Sequence, residues 1–424
     1  MFKFLKKHYH WIIAVVLFLI TIVRGGVANN LSGLHLIPVT EAMDISRAQY
    51  SLAGSASHVL AMLTTLFSGA LILRYGHRML LTVFLLFGAA AYGLMSTADN
   101  YYIWLIGYTL LGAANGICGE AGSTRIVSVW FHKHRGAVLG VISSASGLGG
   151  SIMCILQTAA IENHSYRASY ILAGICLAVC GILALVFVRS HPAKMGLLPY
   201  GDGEKLNYKK REHEDHWHGL SMKQMIRRPT FYMMLFGTLI SCILPYLAFF
   251  VVVPHLRDRG FSATEASSIQ SILMLCLTGA KILSGYLCDA IGARKVALIC
   301  MAVDIVALVL LATVTSFTAA LIAAVVFAMA LPIVTIIIPL LASSLFGYQA
   351  QAEYNGIFIA MVSAASIVAN PLSNAIFDKI GSYSPVFIAA AALTVPLMGM
   401  YLLMYRLADK DRKKLEAAES VTQG

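Results

Sequence analysis

Residues 305 to 352 run for 48 positions without a single Asp, Glu, Lys or Arg. One helix crosses a bilayer core of ~30 Å with about 20 apolar residues. The run is therefore too long for one crossing and fits two, joined by a tight turn at Thr315-Ser316-Phe317. The rest of the 424 residues has the same character: 58% are hydrophobic and 12% charged. Soluble chains carry roughly 45–50% and 25%. Too little charge is present to cover a water-facing surface, which excludes soluble, disordered, collagen-like and disulfide-scaffold classes. An all-α membrane protein with many spans remains.

Twelve stretches are expected to cross: 11–37, 48–73, 79–98, 101–125, 136–160, 168–188, 230–254, 264–288, 296–315, 317–341, 354–377 and 383–405. Lys3, Lys6 and Lys7 followed by an apolar run resemble a secretory signal. Because the chain beyond is polytopic, the run reads as an uncleaved first span. The long polar stretch divides the chain into an N-terminal six-helix bundle (1–189), a linker (190–228), a C-terminal six-helix bundle (229–406) and a tail (407–424). The linker carries Pro192, Pro199 and Lys209-Lys210-Arg211-Glu212, with an amphipathic helix expected around 220–228. Its His213-Glu214-Asp215-His216-Trp217-His218 run has metal donors but no fixed scaffold, and reads as a solvated loop.

The 31 Lys and Arg against 20 Asp and Glu give +11. This charge falls in short bursts between apolar runs, unlike the single basic face of a nucleic-acid binder. With both termini cytoplasmic, 23 of the cations lie in inner segments and five outside: Arg47, Arg167, Arg257, Arg259 and Lys379. That excess orients the chain. Trp11, Trp104 and Trp130 fall at span ends, where indoles favour the interface. All eight cysteines sit in apolar runs without metal-ligand spacing and read as small buried hydrophobes. No cofactor motif, catalytic triad or metal framework is present, so no enzyme is indicated.

Gly69-x6-Gly76-x-Arg78 follows the second span and Gly285-x6-Gly292-x-Arg294 the eighth, 216 residues apart. Ser165-Tyr166 recurs as Ser382-Tyr383 at nearly the same offset. Half-chain repeats of this kind indicate two similar bundles. The glycines allow a tight turn, while the arginine has helix-end carbonyls or a neighbouring carboxylate to bind.

On these motifs the chain resembles the major facilitator superfamily over essentially its whole length. The resemblance implies twelve transmembrane helices in two pseudo-symmetric six-helix bundles. It gives Arg78, Asp289 and Arg294 a gating role. The family's loop signature is partial here, with Leu73-Arg74 in the first copy and Asp289-Ala290 in the second. Tyr108, four residues before Gly112, stands where the family commonly carries an arginine, and joins the substrate-contacting candidates. Trp130-Phe131-His132-Lys133-His134-Arg135-Gly136, Gly147-Leu148-Gly149-Gly150 and the Pro192-to-Gly201 linker start are similar to the monocarboxylate transporter and oxalate/formate antiporter branch. Lys281-x3-Gly285 occupies the place of that branch's eighth-span cation, with lysine for arginine. The branch's acidic residue one turn earlier is replaced by Leu277. The eleventh span, Gly356 to Val362, lacks the oxalate/formate antiporters' lysine, so a single carboxylate fits better than oxalate.

Ionisable groups inside spans are costly and mark function by default. Arg24 lies 13 residues past Trp11, about 20 Å along a helix. Lys281 lies eight residues before Asp289, roughly 12 Å from the inner end of its span. Two such cations suit one carboxylate. The competing reading pairs them structurally with Glu120 and Asp304. Arg125, five residues before Trp130, reads as interfacial or gating, and Glu120 is a candidate for a coupling proton. Asn29 and His58 are neutral candidates for substrate contact, while Asn355, Asn370 and Asn374 read as interhelical glue. Pro245, Pro254, Pro332, Pro339 and Pro371 mark expected kinks.

The expected function is a secondary transporter of a small organic anion, a monocarboxylate foremost, working by alternating access with protons or by anion exchange. Drug or solute efflux on the same fold is the alternative, and a non-transporting membrane sensor the remote one. The expected surroundings are the lipid bilayer of a bacterial inner membrane, with the chain acting as a monomer and no nucleic acid involved.

Overall fold

The computed structural model describes residues 9–29, 31–119, 123, 126–127, 129–131, 135–201, 220–347 and 350–422. The His213–His218 run, Glu120 and Arg125 lie outside the described residues. In the first half the helices are α1 (Tyr9–Arg24), α2 (Ser32–Met43), α3 (Arg47–Tyr75), α4 (His77–Thr97), α5 (Tyr101–Cys118), α6 (Arg135–Asn163) and α7 (Tyr166–Phe187). After them come α8 (Met222–Ile226), α9 (Pro229–Phe249), α10 (Val252–Asp258), α11 (Ala263–Ile291) and α12 (Ala293–Ala312). The chain ends in α13 (Phe317–Ala330), α14 (Ile338–Phe346), α15 (Gln351–Ile380) and α16 (Ser384–Thr422). Among the described residues the one β feature is an isolated bridge, Phe131 to Tyr200.

Each expected span falls on a helical stretch, and ten stretches are long and apolar enough to cross a membrane. Outside those ten are α3, diluted by six Ser and Thr hydroxyls and His58, and α5, whose described part has 18 residues. The outward faces identify the solvent. On α7, Ile171, Ile175, Val179 and Ile182 recur at helical spacing and are 50–57% exposed. Such a stripe is a liability in water and ordinary in lipid. Its opposite face buries Tyr170, Ala173, Gly174, Leu177 and Cys180.

Three spans are interrupted where the sequence pattern reads as continuous. The first passes from α1 into a π-helical turn, Gly25–Asn29, and restarts as α2. There α1 presses on α6 so closely that a side chain at Gly149 would collide with the Ile22 carbonyl. Glycine's missing Cβ permits that approach. The seventh ends at Phe249, four residues past Pro245, and resumes as α10. The tenth runs through α13, a second π turn at Ile333–Ile337 and α14, with Pro332 and Pro339 flanking the turn. Proline has no N–H for the helical ladder, which favours rearrangement at such points. Between the ninth and tenth spans the turn is as expected: Ser316 caps α13, its hydroxyl accepting from the Ala319 N–H at 3.3 Å.

The chain forms two compact units. The first holds Met1–Asn207, Phe250–Thr278 and Asn370–Gly381; the second holds Tyr208–Phe249, Gly279–Ala369 and Ser382–Gly424. In the first, α4 packs on α5 and α7, α5 on α3, and α1 on α6. Trp104 and Trp130 lie fully buried there, away from lipid. Their indole N–H groups donate to the Tyr170 hydroxyl and the Arg189 carbonyl. Trp11 alone of the three span-end indoles is well exposed, at 44%. In the second unit α12 packs on α13 and α16, and α9 on α16. Phe231, Phe346 and Phe358 form an aromatic cluster beneath α8, which is capped by Ser221 and Gln224 and tied by the Leu220 N–H to the Phe346 carbonyl.

The repeat is written in the backbone. Gly76 has φ/ψ of 79°/154° and Gly292 88°/143°, and each joins two helices without a spacer residue. Side chains rarely adopt that region. The Ser-Tyr copies also correspond: Tyr166 packs edge-on against Tyr170, and Tyr383 stacks on Phe387, both at four-residue spacing.

Candidate functional site

Arg24 is the last residue of α1, immediately before the π turn, and is 7% exposed. It lines a small space with Leu85, Leu111, Ala114, Asn115, Cys118 and Leu177, residues of α4, α5 and α7 in its own unit. The space is about the size of one water molecule. A guanidinium is thus held at depth within one unit, among mainly apolar neighbours. Asn29, five residues on, belongs to the π turn, and its side chain lies outside the described residues.

Tyr108 and His58 lie elsewhere in the same unit. Tyr108 meets Trp104 at 5.2 Å and Tyr50 edge-on at 6.1 Å between ring centroids, while the Tyr50 hydroxyl donates to the Ser32 carbonyl at 2.7 Å. His58 is half-buried, its ring 6.1 Å from that of Phe250. Tyr108 is seven residues before Asn115, about 10 Å along α5. The structure therefore gathers Arg24 in one cluster and Tyr108 with its aromatic neighbours in another.

Lys281 belongs to the second unit, half-buried on α11. Asp289 is eight residues further on the same helix, its side chain outside the described residues. The two repeat arginines satisfy themselves differently. Arg78 donates through Nε to the Leu185 carbonyl at the end of α7, at 2.7 Å. Arg294 pairs with Asp409 on α16 at 2.5 Å and also reaches the Ser344 carbonyl. Nearby, Arg228 pairs with Asp411 at 3.1 Å, so α16 is tied to this unit twice beyond its expected span.

One constellation is absent from the sequence reading, which gave Arg47 only a topological role. Arg47 Nη1 and Nη2 meet Asp258 Oδ2 and Oδ1 at 2.6 and 2.8 Å. The guanidinium also covers the Phe377 ring at 3.8 Å, and the adjacent Ala48 N–H donates to Asp378 at 2.9 Å. Close by in sequence, Thr264 donates to the Glu162 carboxylate. The ends of α3, α6, α10, α11 and α15 involved are those that the charge count assigns to the outside. A sequence displays these charges but not their partners, which are separated by 211 residues in the first pair.

Comparison with known proteins places this architecture. The model of the Major Facilitator Superfamily matches residues 13–257 and 234–423. The uncharacterised MFS-type transporter YcxA of Bacillus subtilis is 22% identical over 289 residues, 68% of this chain and 67% of that protein. The Fujikurins efflux protein of Gibberella fujikuroi is 31% identical over 115 residues, covering 25% of this chain and 24% of that one. Among solved structures, a mutant of the nucleoside transporter NupG aligns with a TM-score of 0.75 at 12% identity, over 94% of this chain and all of that one. Helices of membrane-crossing length, the half-chain repeat and the family match converge: the chain belongs to the Major Facilitator Superfamily.

Proposed function

We propose that this transporter moves a small organic anion, a monocarboxylate foremost, by alternating access, as in the monocarboxylate transporter and oxalate/formate antiporter branch. The observation that carries the reading is Arg24, a cation 7% exposed within a membrane-spanning helix. Placing such a charge mid-span costs about 2.5–3.5 kcal/mol or more, a cost that anion recognition explains. Lys281 supplies a second cation on α11, a point charge rather than a bidentate fork. Asp304, the described intramembrane acid, is buried, and its Oδ1 has no hydrogen-bond partner.

In this reading both termini lie in the cytoplasm and the chain works as a monomer in the cell membrane. Arg78, Asp289, Arg294 and Arg125 serve the gates, and Glu120 is the coupling group where protons are used. The test is uptake by the purified protein in liposomes over a panel of small carboxylates. Acceleration by preloaded unlabelled substrate without a pH gradient identifies exchange, and dependence on an inward proton gradient identifies symport. The similarity to the Fujikurins efflux protein favours a second reading, efflux of a drug or other solute. Transport of hydrophobic cations with no response to any carboxylate sinks the anion reading and supports that one.

A further inference from the structure

Residues of the first unit from three helices converge on a position that has no side chain. Gly54 is buried on α3. A Cβ added there would lie 3.6 Å from Asn370 Nδ2 on α15 and 3.7 and 3.9 Å from Tyr108 Cε1 and its hydroxyl on α5. The amide nitrogen and the phenol thus line a gap of about one methyl group beside the glycine. Asn370 is 8% exposed. Its Oδ1 accepts from Asn374 Nδ2 at 2.7 Å, which fixes the amide's orientation. The Nδ2 group makes no hydrogen bond to any described residue. Pairing with Asn374 accounts for only one half of the amide.

Position along the helices agrees. Gly54 and Tyr108 are each seven residues from the ends of α3 and α5 at Arg47 and Tyr101, and Asn370 is ten from Ile380. All three therefore lie about 10–15 Å inside those ends, inward of the Arg47–Asp258 pair. His58 follows one helical turn after Gly54. No charged side chain belongs to the cluster, so its chemistry suits a neutral oxygen rather than a second carboxylate.

We propose that Asn370, Tyr108 and the open face of Gly54 form a specificity subsite that takes a neutral oxygen substituent, a hydroxyl or carbonyl, of the transported molecule. The subsite deepens the anion reading, on which the acid probes of its test rest, and neutral probes separate the two. Asn370 Nδ2 donates to the substituent, and the Tyr108 hydroxyl completes the pair from the other side. One matched hydrogen bond in such a site makes a difference of roughly tenfold in affinity.

The test measures thermal stabilisation of the purified full-length protein by two probe pairs that differ by one oxygen: lactate against propionate, and glucose against 2-deoxyglucose. The expected result is a roughly tenfold preference for the richer member of at least one pair, falling to near parity in Asn370→Leu and Tyr108→Phe. Gly54→Ala is the sharpest variant, because its methyl makes only ordinary contacts and alanine favours the helix. It should hold or raise the melting temperature while removing the preference, an outcome that a purely structural role does not produce. A preference confined to the sugars supports the subsite and removes the anion reading instead. Equal response to both members of each pair, or a preference unchanged in Gly54→Ala and Tyr108→Phe, overturns the subsite.

Discussion

Arg47 and Asp258 meet through two parallel hydrogen bonds although 211 residues separate them. Their side chains are 16% and 26% exposed, and the Phe377 ring beneath the guanidinium shields one face. The pair fastens the start of α3 to the end of α10. Alanine at either position should lower thermal stability, and the double-mutant cycle should return a coupling of about 1 kcal/mol. Arg47→Lys should recover only part of it, because a lysine cannot make the two-bond fork. Additive single effects would show that the contact contributes nothing.

The paired glycines allow a second test. Gly76→Ala and Gly292→Ala should each cost about 1–3 kcal/mol, since both positions require positive φ with extended ψ. Position 76 has the further problem of Ser190 Oγ, 2.9 Å from the added methyl. Gly93→Ala, inside α4 where a Cβ meets nothing, should instead gain about 0.5–1 kcal/mol. Detergent-solubilised melting curves of the three variants decide the matter.

Two serines cap helices at span borders. Ser165 accepts from the Ala168 N–H and Ser316 from the Ala319 N–H, each at 3.3 Å. Alanine at either site should destabilise by about 1 kcal/mol. No loss at Ser316 would argue that the uncharged run of residues 305–352 turns somewhere else.

For the proposed anion role, Arg24→Gln should weaken carboxylate-induced stabilisation by roughly tenfold to a hundredfold, the range for a hydrogen bond to a charged group. Lys281→Gln should weaken it as well. Retained stabilisation in both variants would reassign the site.

Much of this architecture was legible in the chain because lipid imposes one strong rule. Apolar length pointed to the ten helical stretches of membrane-crossing character, and Ser316 marked the hardest border. The matching dihedrals of Gly76 and Gly292 were foreshadowed by their spacing. The breaks at Gly25–Asn29 and Ile333–Ile337 were not, since a π turn leaves the apolar character of a span intact. Trp104 and Trp130 sit at span ends but turn inward, a choice made by Tyr170 and the Arg189 carbonyl. Asn370 read as interhelical glue, together with Asn355 and Asn374. Only the surroundings place its amide nitrogen beside Gly54 and near Tyr108.

The π turn after Arg24 carries a consequence for how such a helix varies. A π turn holds one residue more than the α-helical path needs, with i→i+5 bonding in place of i→i+4. Deleting a single residue between Gly25 and Asn29 removes that surplus while the residues of α1 and α2 stay intact. The same deletion within α7 would rotate the apolar face of all that follows by about a quarter turn. The angular phase between Arg24 and the downstream part of its span is therefore set by a residue count, open to change by insertion or deletion without altering any side chain.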